Sequence, residues 1–175
     1  MPGEQTSAST DPSSPREPSD ILTSDVLLRR FFETSAAGRR AAASLRRGAT
    51  VGVRFTDVPG DFRFYAQDGR PHFDMGKASD PDFELTIAPG AVRAIASKPE
   101  SDVGDLGITF FQHIVAKDPS EKIQVKLHAG LLKLTMHGWL GVLAAGGPKV
   151  MGWMAQKGLK GPSAVASALS RLKKG

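Results

Sequence analysis

What most constrains this chain is a change of period. Before residue 50 the apolar residues recur at helical spacing, and from Val51 onward they recur at every second position. Val51, Val53 and Phe55 alternate with Gly52, Arg54 and Thr56, as in a strand with one face in the core and one in water. Pro59-Gly60 supplies a turn, after which Phe62, Phe64 and Ala66 alternate with Arg63, Tyr65 and Gln67. Asp68-Gly69 is a strong hairpin signal. It leads into a third strand over 71–76, with Phe73 and Met75 on one face. Phe83, Leu85 and Ile87 alternate with Glu84 and Thr86 in a fourth. These segments read as an antiparallel meander with one apolar face, and that face requires a cover.

Helical segments supply the cover. Ser24 and Asp25 can cap a helix carrying Val26, Leu27, Leu28, Phe31 and Phe32. A second short helix follows Gly38 and runs to Arg47, with Gly48 as its C-cap. Pro89 opens a helix over Ala91–Ser97 that Pro99 stops. A longer one spans about Asp102 to Lys117, where Val103, Leu106, Phe110 and Ile114 form a stripe that Phe111 broadens; Asp118-Pro119 ends it. Ile123, Val125 and Leu127 then alternate with polar residues. Beyond Ala129-Gly130, Leu132, Leu134 and Met136 do the same, so 121–137 reads as a second strand pair. Gly138–Gly158 mixes six glycines with Trp139, Leu143, Val150, Met151 and Trp153, and reads as two short helices broken at Gly146-Gly147-Pro148. Gly161-Pro162-Ser163 starts a final helix with Val165, Leu169 and Leu172 on one side. The expected fold class is α+β: a mainly antiparallel five- to six-stranded sheet covered by helices on one face.

Composition narrows the rest. A length of 175 residues suits a single domain. Residues 1–20, with four prolines and no apolar side chain beyond Ala after Met1, read as a disordered tail, leaving 21–175 as the domain. The absence of cysteine removes disulfide scaffolds, thiolate metal sites and thiol catalysis. No apolar run is long enough for a membrane span and no signal peptide is legible, so the expected location is cytoplasmic. The net charge of +5 divides into −3 in the tail and +8 in the remainder. Six arginines (29, 30, 39, 40, 46 and 47) face only Asp25 and Glu33 in the first helical region. Arg39, Arg40, Arg46 and Arg47, with Lys157 and Lys160, are candidates for attracting an anionic membrane surface.

The search for catalytic chemistry yields nothing. His72, His113, His128 and His137 lack zinc-ligand spacing, and His128 and His137 read as solvated. Gly146-Gly147-Pro148-Lys149 does not meet the phosphate-loop spacing, and no nucleophile elbow is present. No enzyme activity, metal or cofactor is expected. Basic charge without exposed aromatic platforms argues against nucleic acid. A glycine-broken, Met- and Trp-rich lid over an apolar sheet suits either a lipid pocket or a dry, self-filled core, and pattern alone leaves both open.

Three segments carry a resemblance to a known family. Asp80-Pro-Asp-Phe-Glu-Leu-Thr-Ile-Ala-Pro, followed by Gly90-Ala-Val-Arg-Ala-Ile-Ala-Ser, resembles a strand and helix of the sterol carrier protein 2 domain. Leu131-Leu-Lys-Leu-Thr-Met-His-Gly is similar to a later strand of that family, and Leu140–Ala145 to its following helix. The resemblance covers about residues 48–158. It implies a five-stranded α/β sandwich around a hydrophobic tunnel that takes fatty acid, acyl-CoA, sterol or isoprenoid-like ligands, in a carrier or accessory role. The family has one strand where 121–137 reads as two, and Leu172-Lys-Lys-Gly is not a peroxisomal tripeptide. The expected tunnel wall is Phe83, Leu85, Phe110, Phe111, Ile114, Leu134, Met136, Trp139, Leu143 and Met151. The alternatives are a non-catalytic interaction module with a self-filled core and, behind it, a small-molecule enzyme using scattered residues.

Overall fold

The computed structural model describes residues 22–158. The expected tail over 1–20, the final helix after Gly161 and Lys160 lie outside the described residues. The elements, in chain order, are α1 (Ser24–Thr34), α2 (Ala36–Ala42), β1 (Thr50–Phe55), β2 (Phe62–Gln67), β3 (Arg70–Met75), β4 (Phe83–Ile87), α3 (Pro89–Ala96) and α4 (Val103–Ile114). A 3₁₀ turn (Pro119–Glu121), β5 (Ile123–Leu127), α5 (Leu131–Met136) and α6 (Trp139–Gln156) follow. The class is α+β, with five strands in the order β3-β2-β1-β4-β5.

Local chemistry sets most boundaries. Asp68 and Gly69 both take positive φ (52° and 72°), the conformation that a two-residue hairpin turn requires between Gln67 and Arg70. Pro89 sits in the first turn of α3. Asp102 caps α4 by accepting from Asp105 N, which satisfies an N–H the helix itself leaves unpaired.

Three expectations change. β1, β2 and β3 form the antiparallel meander, but β4 pairs with β1 in parallel and β5 with β4 antiparallel, so the sheet is mixed. The chain leaves β3 at the edge and crosses to the far side of β1 before laying down β4. The segment 131–136, expected as a strand, is the helix α5. One strand therefore lies between α4 and α6, and the sheet has five strands, the lower of the expected five to six. Helix α2 also ends at Ala42, short of the expected Arg47.

The apolar positions of all five strands share one face. Phe64, Val51, Phe83 and Leu127 lie in one register row, and Phe62, Val53, Leu85 and Val125 in the next. The helices lie over this face. The other carries Arg54, Arg63, Tyr65, Glu84, Thr86 and Lys126 and is open to solvent. A continuous buried core joins Leu28 and Phe31 of α1 to Val51, Val53, Phe62, Phe64 and Phe73, and to Val92 and Ile95 of α3.

Candidate functional site

The helical cover buries Val51, Val53, Phe62, Phe64 and Phe73 over β1–β3, with Met75 exposed at the edge, and is looser over β4 and β5. Phe62 and Val53 are buried, yet Leu85 and Val125, their neighbours in the same row, remain half-buried. The next row ends in Ile87 and Ile123, both buried in the core that also holds Val92 and Ile95 of α3. At the other end Leu127 and Ala129 are buried against Leu134 of α5. Between these closed ends lies a half-open apolar strip with Phe83, Leu85 and Val125 as its floor. Phe110 and Ile114 of α4 and Trp139 and Val142 of α6 are partly buried and packed against the same core. The Phe83 and Trp139 rings meet edge to face with centroids 5.0 Å apart.

The expected wall residues divide accordingly. Phe83, Leu85, Phe110, Ile114 and Trp139 come together at the strip. Phe111 is half-buried but stacks on Trp153, in the α4–α6 contact. Leu134 is buried and closes one end. Met136, Leu143 and Met151 point to solvent. Met136 was placed on the wall by the strand reading of its segment; in a helix it turns away from Leu134.

Beside the strip lies a polar constellation that pattern reading missed. Asp82, immediately before β4, is fully buried. Its Oδ2 accepts from His137 Nδ1 and Trp139 Nε1, each at 2.7 Å, and from the Thr50 backbone N–H at 3.4 Å. A carboxylate only accepts, so His137 carries its proton on Nδ1. Oδ1 makes no hydrogen bond, but Lys133 Nζ lies 3.5 Å from it. The same ammonium bonds Asp80 Oδ2 at 2.8 Å. That bond holds the Asp80 carboxyl below the usual carboxylate range and raises Lys133. One carboxylate thus fastens the end of α5 and the start of α6 to the sheet and fixes the rim residue Trp139. His137, expected to be solvated, is a partly buried member of this clamp; His128 lies 3.2 Å from Glu84.

Gly138 makes the junction possible. Its φ is +86°, and a Cβ there would overlap Ser44 O. The long glycine-rich helix is kinked at Gly147 (φ 59°, ψ −155°), where the sequence placed its break. Its other glycines let helices approach closely: a Cβ on Gly104 of α4 would lie 2.8 Å from Gly146 O of α6. Lys149 Nζ ties α6 to Asp102 and Asp105 at the start of α4. Asp102 is pushed below the usual carboxylate range first by that lysine and next by the Asp105 N–H.

Two further concavities, of about 400 and 440 Å³, lie on the open polar face of the sheet. Arg54, Asp61, Glu84 and Lys126 line the first, and Arg47, Arg63, Tyr65 and Gln67 the second. Arg54 is there matched by Asp61 at 2.6 Å. No helix among the described residues is long and apolar enough to cross a membrane.

No family model matches the chain, and no curated protein matches it. Among solved structures, a chain described as "UbiJ-SCP2 Ubiquinone synthesis protein" is similar at 15% identity and a TM-score of 0.38, covering 71% of this chain and 89% of that one.

Proposed function

We propose that this protein binds a hydrophobic small molecule in the strip between β4, β5, α4 and α6, and acts as a non-catalytic cytoplasmic carrier or accessory binder. The observation that carries this reading is the interrupted cover. A sheet that buries Val53 and Phe62 leaves Leu85 and Val125 in the same row half-open, with Phe83, Phe110, Ile114 and Trp139 around them. An acyl or isoprenoid chain laid there completes the burial that the protein's own helices leave unfinished. At about 0.8 kcal/mol per buried methylene, roughly ten methylenes supply about 8 kcal/mol, which corresponds to micromolar binding. Fatty acids, acyl-CoA, sterols and isoprenoid-like molecules all offer such a body.

Native mass spectrometry of the purified protein, followed by organic extraction, tests this. The carrier reading expects bound species that leave on denaturation and are recovered as lipid. The competing reading is an interaction module whose own side chains fill the core, as Leu134 does at the closed end. It expects a single apo mass before and after exposure to fatty acid, and that result rejects the carrier.

A further inference from the structure

The outer surface of α5 and the start of α6 is apolar without a partner. Leu131, Leu132 and Met136 are 70%, 74% and 60% exposed, and Leu140 and Leu143 continue the apolar surface on α6 at 40% and 43%. Only His137 and Gly138 separate the two helices, and they pack against each other. Side chains of this size at such exposure, grouped on neighbouring turns, are uncommon on a protein surrounded only by water.

The charge around them has one sign. Residues 122–158 contain five lysines and no acidic residue; residues 34–56 contain five arginines and no acidic residue. The fold brings the two stretches together at this surface. Arg46 N donates to His137 O at 3.0 Å, and Ser44 abuts Gly138 and Gly141. Arg46 is exposed there, and Arg47, the next residue, is exposed at the adjoining end of the open sheet face; neither forms an ion pair among the described residues. Arg39 and Arg40, in contrast, are spent on the backbone carbonyls of Thr34, Glu100 and Ser101. The nearby exposed acid, Asp80, is neutralised by Lys133.

We propose that α5 and the first turns of α6 are a docking face for an anionic lipid surface, with Leu131, Leu132 and Met136 entering the acyl boundary and Arg46 and Arg47 meeting the head groups. An apolar centre with a basic rim is what such a surface recognises. Nucleic acid would match the rim but leave the leucines in water, since they offer no base-stacking platform. The proposal does not depend on a ligand in the strip, because vesicle binding is read without one.

The test is co-sedimentation of the full chain with phosphatidylcholine vesicles, with and without phosphatidylglycerol. Binding is expected only to the anionic vesicles and should weaken as salt rises. The variant Leu131→Ser/Leu132→Ser/Met136→Ser removes exposed groups only and should bind at least about 100-fold more weakly, on the order of tenfold for each large apolar side chain lost. Arg46→Gln/Arg47→Gln should bind less tightly and with a flatter salt dependence. Because the chain has no cysteine, Leu132→Cys carrying an environment-sensitive dye reports insertion at one place without the triple variant. A blue shift on anionic vesicles is expected, and an unshifted spectrum overturns the proposal. So does wild-type affinity in the triple serine variant, or capture by an oligonucleotide with none by vesicles.

Discussion

Asp82→Asn probes the clamp with the least change of shape. The carboxylate is fully buried and holds His137 and Trp139 through two 2.7 Å bonds, with Lys133 3.5 Å from its second oxygen. Hydrogen bonds to a charged acceptor contribute about 1.5–3 kcal/mol each, and neutral ones about 0.5–1.5. If the amide oxygen takes the place of Oδ2, each of the two bonds loses about 1–1.5 kcal/mol, and the amide N–H₂ is turned toward the Lys133 ammonium. The sum is about 2–4 kcal/mol. Asp82→Ala leaves both donors without an acceptor and should cost about 3–5 kcal/mol. Against a total of about 5–15 kcal/mol for a domain, the asparagine variant remains folded and measurable while the alanine variant approaches the limit. Urea unfolding followed by tryptophan emission gives the midpoint shift, and a Trp153→Phe background leaves Trp139 as the reporter. The Trp139 emission of the folded asparagine variant should also move to the red as α5 and α6 loosen. A midpoint within about 0.5 kcal/mol of wild type, with unchanged emission, would refute the claim that this carboxylate holds the two helices to the sheet.

Gly138→Ala should destabilise the protein by about 2–5 kcal/mol, because it combines a left-handed backbone with a Cβ placed on Ser44 O; a thermal melt checks this. The Lys149 bridge gives a pH dependence of known sign. Asp102 is depressed in the folded state, so its contribution is full above the ordinary carboxylate value of 3.8 and disappears as pH falls through its lower folded value. The melting temperatures of wild type and Lys149→Ala should therefore differ at neutral pH and converge in strong acid. The difference should also shrink with salt, because the pair is exposed. Gly104→Ala should separate α4 from α6, lowering the midpoint by about 1–3 kcal/mol in the same urea assay, since its Cβ meets backbone instead of a side chain that could move aside.

The strands over 51–87 were legible because each alternation was long enough to exclude a helix and was bounded by Pro-Gly or Asp-Gly. Leu132, Leu134 and Met136 were not. Three positions over five residues fit period two as well as an irregular short helix, and Ala129-Gly130 lacks the turn chemistry of a true two-residue hairpin. Leu131, which broke the alternation, was the available signal. The parallel β1–β4 pairing was hidden because register is a long-range property: Leu85 reads the same beside either kind of neighbour. The wall was half legible. Phe83, Leu85, Phe110 and Ile114 come together because strand parity and the α4 stripe dictate it, and Trp139 joins them because Asp82 holds its ring. Leu143 and Met151 lie on a helix that kinks at Gly147 and is apolar on several faces, so periodicity could not select one. Asp82 escaped because an acid next to an apolar strand looks like a turn residue, and its side-chain donors His137 and Trp139 come from more than fifty residues away.

The half-open strip is the central claim, and filling it from within is the most direct test. Leu85→Trp places a larger side chain on the floor between Phe83 and Val125, where the missing cover leaves room for it. Uptake of a fluorescent fatty acid should saturate in the micromolar range for the wild type and fall at least tenfold for this variant, with the thermal midpoint essentially kept. Equal uptake by the two proteins, or none by the wild type, would contradict the account.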